Sequence, residues 1–178
     1  VSAETNGAVE TYDGRETAPA AATPQWFFKD GAPLDHGAAV PGGRSVGVPG
    51  NLALAALAHA RHGRLPWAKL FAPAIRLAAD GFAMTPRLNS SLALFRQIAT
   101  LDPAARALFF DASGNPRPVG TVIKNPAMAA SLRRIAAAGP RAFYTGANAA
   151  AIAAKVNTSP VNPAPMRAAD LAAYRARL

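Results

Sequence analysis

Cysteine is absent from this 178-residue chain, which excludes disulfide bridges, thiolate metal ligands and a cysteine nucleophile. Charged residues make up only 16% of the chain and aromatic residues 7%, whereas 51% is hydrophobic. That hydrophobic share is enough to form a buried core in a chain of ordinary domain size. No apolar run reaches the roughly 18 residues that a membrane-spanning helix requires. The sequence therefore predicts a folded protein without a membrane span.

Acidic residues are also few, 10 against 19 basic ones, so the formal net charge is +9. The basic residues are scattered among alanines, and only Arg133 and Arg134 form a doublet. A surface that follows a phosphate backbone needs clustered basic residues, often interleaved with aromatic ones. We therefore expect no specific nucleic-acid partner, only a weak attraction that falls as salt rises.

The first part of the chain, residues 1–48, has the pattern of short strands and loops. Residues 8–12 alternate in polarity after Asn6-Gly7, a hairpin signal, and we interpret them as the second strand of a hairpin with a shortened first strand. Residues 25–28 read as a second extended segment before the Asp30-Gly31 turn. An isolated hairpin is only marginally stable in water, so these strands are expected to join a larger sheet.

From residue 49 onward the pattern is helical, which predicts a helical lobe over residues 49–178. Asn51 and Thr85, followed later by Asp102 and Asn125, are expected N-caps, the last three each standing before a proline. Pro73 lies inside a helical stretch and predicts a break there. The expected fold class is mainly α with a short β edge at the start.

Arg15 lies in a polar turn near the start of the chain. Asp13-Gly14 favours a turn, because Asp bonds its own backbone and Gly accepts positive φ, and the prolines downstream favour extended backbone. Loops of this kind often carry binding residues. Arg15 is therefore either a ligand-binding residue or a surface residue paired with Asp13 or Glu16. Glu16 either orients the Arg15 guanidinium or is simply solvated.

Other polar residues give weaker signals. His59 and His62 stand three residues apart on a predicted helix, but no third ligand has metal-site spacing, so we expect solvated histidines and no metal. Ser45 lacks the nucleophile-elbow frame and a nearby base, and is expected to support a turn. The glycine-rich stretch 42–50 lacks the features of a phosphate-binding loop. No catalytic residue is expected in this chain.

Five stretches together resemble the large subunit of the bacterial gamma-glutamyltranspeptidases. They follow one another in the family's order over nearly the whole chain: DGRETAPAAATP (13–24), GGRSVGVPG (42–50), RHGRLPWAKLFAPAIRLAADGF (61–82), AFYTG (142–146) and DLAAYRARL (170–178). The resemblance implies an N-terminal-nucleophile hydrolase, whose complete fold is an αββα sandwich. In such enzymes a precursor cleaves itself into two subunits.

The resemblance also implies a chemistry and a set of partners. A threonine that begins the small subunit, outside this chain, attacks the γ-amide of a γ-glutamyl compound such as glutathione. Water, an amino acid or a peptide then resolves the acyl-enzyme, without metal or organic cofactor. The family pattern assigns the α-carboxylate of the γ-glutamyl group to Arg15, with Glu16 beside it. It further implies a periplasmic or secreted enzyme. The segment before the last helix, SPVNPAPMRAADL, departs from the family's usual glycine pair.

Two alternative functions stay open at this point. A related acylase that removes glutaryl-type side chains from β-lactams would use Arg15 in the same way, because its substrates also carry a carboxylate. A helical binding or scaffold module would use no catalytic chemistry at all. The sequence of this chain does not separate these alternatives.

Overall fold

The computed structural model of the chain describes residues 2–5 and 8–178. Helices account for about half of the residues and the strands are short, which confirms the mainly α composition with a β edge at the start. The strands are β1 (Ser2–Thr5), β2 (Ala8–Thr11), β3 (Phe28–Lys29), β4 (Ala32–Pro33), β5 (Phe82–Ala83) and β6 (Val122–Ile123). The helices are α1 (His36–Ala39), α2 (Asn51–His62), α3 (Trp67–Leu70), α4 (Ala72–Asp80), α5 (Pro86–Leu94), α6 (Arg96–Ala99), α7 (Pro103–Phe109), α8 (Pro126–Ala138), α9 (Arg141–Tyr144), α10 (Gly146–Asn157) and α11 (Ala168–Ala173), with a short 3-10 helix at Gly43–Ser45.

The chain divides into two compact units. The first comprises the residues up to Trp67 together with Ile135–Leu178, and the second comprises Ala68–Arg134. The expected division into a strand-and-loop region (1–48) and a helical lobe (49–178) stays a prediction. Within the described part of the chain, every helix is too short or too polar to cross a bilayer.

The predicted hairpin at the start of the chain is present. Strands β1 and β2 pair antiparallel, from Ser2 opposite Thr11 to Thr5 opposite Ala8. Both strands have four residues, and the expectation that the first strand is cut short stays a prediction. The Asn6-Gly7 turn lies outside the described residues.

The extended segment expected at residues 25–28 is mostly a turn. The backbone N–H of Trp26 donates to the carbonyl of Thr23 (3.0 Å), and that of Phe28 to Gln25 (2.9 Å), so the chain turns around Pro24 before a strand begins. Only Phe28 and Lys29 are extended, paired with β4. The turn at Asp30-Gly31 is present, with φ of 52° and 81°.

In the second unit the predicted caps and break are confirmed. The side chains of Thr85, Asp102 and Asn125 accept hydrogen bonds from the N–H groups three residues on, at 3.1, 2.9 and 2.9 Å. Each satisfies a helix-terminal N–H that has no carbonyl partner in its helix. The helical stretch around Pro73 is divided at Phe71 into α3 and α4, as the proline predicts.

The core of the first unit lies around α10 and α11. Met166, Leu171 and Ala149 have no exposed surface, and the cluster around them is Val48, Tyr144, Ala149, Ala153, Val156, Ala164, Met166, Leu171 and Tyr174. Two asparagines stabilise the path of the chain from α10 to α11. Asn157 exchanges two hydrogen bonds with the backbone of Met166 (2.9 and 2.8 Å), and Asn162 adopts a φ of 43°, a conformation that asparagine tolerates.

Helix α2 begins differently from the expectation. Gly50 is its N-cap and Asn51 its first residue, without a side-chain cap, so the prediction that Asn51 caps the helix is wrong. The N–H of Ala53 donates instead to the hydroxyl of Tyr144, 3.0 Å away. A tertiary contact thus replaces the local cap, because it satisfies the same kind of free N–H group.

A polar cluster joins β2 to the end of α2. The Tyr12 hydroxyl donates to Glu10 Oε2 (2.7 Å) and lies 2.6 Å from His62 Nε2. Glu10 also contacts Arg61 Nη1 at 3.0 Å and His62 Nε2 at 3.3 Å. The hydrogen bond from Tyr12 is the largest influence and, with His62 and Arg61, holds the pKa of the Glu10 carboxyl below its ordinary value of 4.5, against the opposing effect of desolvation.

This cluster predicts an acid-sensitive contribution to stability. A carboxyl whose pKa is lower in the folded protein stabilises it fully above its unfolded pKa and loses that contribution as the pH falls through the folded pKa. We expect wild-type stability to fall below about pH 4.5 more steeply than that of Glu10→Gln. The check is unfolding by denaturant between about pH 3 and 7, with Tyr12→Phe as a second variant that removes the principal donor. Equal acid dependence in wild type and Glu10→Gln would contradict the prediction.

Candidate functional site

The loop that carries Arg15 is held at both ends by backbone hydrogen bonds to distant segments. Asp13 and Arg177 exchange two such bonds, each of 2.9 Å, and Thr17 and Val48 exchange two of 3.3 and 2.8 Å. All of these residues belong to the first unit. The loop lies on the surface, and four hydrogen bonds around it fix its path.

The main-chain groups of Arg15 are also satisfied. Its N–H donates to Asp13 Oδ1 (2.8 Å), the local bond that makes Asp favourable in turns. Its carbonyl accepts a hydrogen bond of 2.7 Å from the hydroxyl of Tyr174. The peptide groups on both sides of the Arg15 side chain are therefore held in place.

The Arg15 side chain projects from this anchored backbone. It is 81% exposed, and its Nε lies 3.0 Å from Glu16 Oε1. In the described part of the chain, the two terminal nitrogens of the guanidinium have no hydrogen-bond or ion-pair partner. Their N–H groups form one edge of a planar fork that matches the two oxygens of a carboxylate. The free edge of Arg15 is thus suited to bind an anion.

Glu16 forms an ion pair with Arg15. This contact is the one that the first of the two expectations for Glu16 requires, in which Glu16 orients the guanidinium. Its own backbone N–H is the largest influence that lowers the pKa of the Glu16 carboxyl, and the hydrogen bond from Arg15 lowers it further. Glu16 is therefore ionised at neutral pH. An ion pair this exposed contributes little stability. The roles of Arg15 and Glu16 in binding a substrate stay predictions.

Glycines allow the loop to lie close to the start of α2. A Cβ on Gly14 would collide with the Leu54 side chain, and one on Gly50 would collide with the Tyr174 hydroxyl and the Gly14 carbonyl. Gly14 does not have a positive φ, so the expectation of a left-handed turn residue is wrong. Close packing is what excludes a side chain at Gly14.

The other candidate residues have structural partners. His59 Nε2 lies 2.8 Å from the carbonyl of Leu65, and His62 belongs to the Glu10 cluster, so neither is merely solvated. No group of three metal-ligand side chains occurs in the described part of the chain. The Ser45 hydroxyl donates to the carbonyls of Val40 (2.6 Å) and Gly42 (3.0 Å), which confirms its expected role in a turn.

Tyr174 is a site residue that sequence reasoning missed. It lies in the stretch DLAAYRARL (170–178), but no local pattern connects it with Arg15, 159 residues away. Its neighbour Asp170 makes a second long-range contact, because its Oδ1 accepts a hydrogen bond of 3.2 Å from Ala20 N–H. An acidic residue in the first turn of a predicted helix is a recognisable cap signal, but the contact with residue 20 is not.

The family model described as Gamma-glutamyltranspeptidase matches residues 1–178. Glutathione hydrolase 5 proenzyme from Homo sapiens is 40% identical over 147 residues, which cover 80% of this chain and 24% of that protein. The crystal structure of Helicobacter pylori gamma-glutamyltranspeptidase superposes with a TM-score of 0.90 at 25% identity, over 99% of this chain and 50% of that one. A cephalosporin acylase from Bacillus halodurans has a TM-score of 0.77 at 27% identity, over 98% of this chain and 32% of that one.

The fold of this chain is therefore shared with the Helicobacter pylori gamma-glutamyltranspeptidase and with the Bacillus halodurans cephalosporin acylase. The chain belongs to the gamma-glutamyltranspeptidase family. It spans only about a quarter of the length of the curated relatives it matches. The family resemblance expected from the five sequence stretches is confirmed.

Proposed function

We propose that this chain is the large-subunit part of a gamma-glutamyltransferase or hydrolase that acts on glutathione-like compounds. The observation that carries the proposal is the free guanidinium edge of Arg15 on an anchored loop, in a chain that matches the family over its whole length. In this proposal Arg15 binds the α-carboxylate of the γ-glutamyl group through two parallel N–H···O bonds. Glu16 occupies Nε and so leaves the terminal nitrogens for the substrate.

The chemical step belongs to a second subunit of the same precursor. There the hydroxyl of an N-terminal threonine adds to the γ-carbonyl carbon, the C–N bond breaks, and the amine leaves with a proton. Water or an acceptor amine then attacks the γ-glutamyl ester and releases the threonine. The proposed role of Arg15 is to place the γ-carbonyl at the threonine, an effect of positioning rather than of bond making.

The complete enzyme is proposed to form an αββα sandwich, to which β1 and β2 contribute an edge, and to act in the periplasm or outside the cell. Its large subunit is proposed to expose apolar surface until the other subunit docks. Val9 on β2 is 66% exposed and Leu94 on α5 is 77% exposed in this chain. An apolar surface that packs against a partner leaves such side chains exposed when the partner is absent.

A β-lactam side-chain acylase is the second candidate, supported by the shared fold with the cephalosporin acylase. A glutaryl group carries a carboxylate in the same position but lacks the α-amino group. Arg15 serves both substrates equally, so the distinction rests on groups that bind the amine. The described loop offers Glu16 and Asp13 as the nearest carboxylates in sequence to Arg15.

The test is turnover by the longer protein that contains this chain, after its precursor has been cleaved. We expect γ-glutamyl-p-nitroanilide to be hydrolysed with a kcat/KM well above that for glutaryl-p-nitroanilide. The reverse order would favour the acylase. Turnover of neither substrate by correctly cleaved protein would contradict both enzymatic proposals and favour a non-catalytic helical module.

A further inference from the structure

We propose that Tyr174 is a positioning residue for Arg15, an inference that rests on the proposed function. Tyr174 follows α11 and is 8% exposed. Its hydroxyl donates the 2.7 Å hydrogen bond that the Arg15 carbonyl accepts. Tyr174 thus holds the backbone of Arg15, whose side chain is proposed to bind the substrate. It influences the position of the guanidinium without contacting the substrate.

A second tyrosine holds the Tyr174 ring in place. The rings of Tyr144 and Tyr174 stack at a centroid distance of 5.9 Å with planes inclined by 10°. The Tyr144 ring makes this contact, whereas its hydroxyl accepts a hydrogen bond from Ala53 N–H in the first turn of α2. Both rings belong to the buried cluster of the first unit, which leaves the Tyr174 hydroxyl little freedom to move away from the loop.

Two glycines complete the contact between the loop, α2 and Tyr174. The space at Gly50 is filled by the Tyr174 hydroxyl and the Gly14 carbonyl, so no side chain fits there. The Arg15 loop is therefore confined between the start of α2 and the end of α11. Removal of the hydroxyl leaves the Arg15 carbonyl without this donor and opens space beside the loop, which allows the guanidinium to shift.

The predicted consequence is selective loss of binding for substrates that carry an α-carboxylate. A displaced anchor far from the reacting carbon weakens substrate binding more than it slows bond cleavage. For Tyr174→Phe we expect KM for γ-glutamyl-p-nitroanilide to rise about 3- to 10-fold, the range of one hydrogen bond, with kcat reduced by less than about threefold. Inhibition by L-glutamate, which also carries the α-carboxylate, is expected to weaken by the same factor.

The matched control is Tyr144→Phe, made in the same longer protein. It keeps the ring that stacks on Tyr174 and removes only the hydroxyl, which contacts Ala53 rather than Arg15. We expect Tyr144→Phe to leave the KM for γ-glutamyl-p-nitroanilide and the inhibition by L-glutamate within about twofold of wild type. 4-Aminobutyryl-p-nitroanilide, which lacks the α-carboxylate, is the second substrate, and neither variant is expected to change its kcat/KM. Thermal unfolding and precursor cleavage report on folding of both variants.

The outcomes separate this inference from the proposed function. Equal kinetic effects of Tyr174→Phe and Tyr144→Phe, or loss of precursor cleavage in Tyr174→Phe, would show a general structural role and overturn the positioning role. Selective effects of Arg15→Ala with none from Tyr174→Phe would overturn the inference alone. If Arg15→Ala does not distinguish γ-glutamyl from 4-aminobutyryl substrate, the proposed function fails, and this inference fails with it.

Discussion

Arg15→Ala is expected to lower kcat/KM for a γ-glutamyl anilide by roughly thirtyfold to several thousandfold, mostly through KM. Loss of one partner of a desolvated charged pair typically costs about 2 to 5 kcal/mol, which corresponds to that range. The carboxylate lies several bonds from the γ-carbonyl, so Arg15 contacts it equally in the ground state and in the transition state. Removal of this contact therefore raises KM more than it lowers kcat. Steady-state kinetics on the cleaved enzyme provide the measurement.

The size of the decrease in kcat/KM also indicates how far Arg15 is shielded from solvent in the longer protein. An ion pair as exposed as Arg15 is in this chain is worth only about 0 to 1 kcal/mol, so a large effect requires other parts of the protein to cover the guanidinium. Arg15→Lys is the matched variant, and we expect it to recover only part of the activity, because an ammonium lacks the planar fork. Equal losses for γ-glutamyl and 4-aminobutyryl substrates would exclude Arg15 as the carboxylate anchor.

Leu171→Ala is expected to produce the largest loss of stability that we predict, about 2 to 5 kcal/mol. The Leu171 side chain on α11 has no exposed surface, and its loss removes apolar contacts and leaves a cavity in the cluster that holds α10, α11 and Tyr174. Unfolding in guanidinium chloride measures the change from the shift in midpoint at constant slope.

Leu94→Ala is the matched control for Leu171→Ala, because the same atoms are removed from a side chain that is 77% exposed in this chain. In the isolated chain we expect a change within about 0.5 kcal/mol. A cost for Leu171→Ala no greater than that for Leu94→Ala would contradict the assignment of the core. In the longer protein, a larger cost for Leu94→Ala than in the isolated chain would indicate that another part of the protein covers Leu94.

Features set by local chemistry could be predicted from the sequence. The caps Thr85, Asp102 and Asn125 each precede a proline, and the break near Pro73 follows from a missing N–H, so a window of a few residues holds the whole cause. The mainly helical composition follows from the same signals. The family resemblance differs from these local signals, because it rests on the order of five stretches along nearly the whole chain.

Features set by tertiary contacts could not be predicted in this way. Asn51 is a favourable residue for an N-cap, but a free N–H group at the start of α2, that of Ala53, donates to the Tyr144 hydroxyl instead. Gly14 reads as a turn residue, whereas the neighbouring Leu54 is what excludes a side chain there. Asp13-Gly14 predicts that Arg15 lies in a loop. The hydrogen bonds that hold this loop come from Val48, Tyr174 and Arg177, which are far from it in the chain. Such pairings leave no local signal.

The hydrogen bond between Tyr174 and Arg15 sets a time order for the formation of the loop during synthesis. The two residues are 159 positions apart, a separation that a ribosome covers in roughly 8 to 30 s at about 5 to 20 residues per second. The second unit, Ala68–Arg134, is continuous and is synthesised entirely within that interval. Its residues can therefore begin to fold while the Arg15 loop still lacks its partners, and the loop is completed only after Arg177 has left the ribosome.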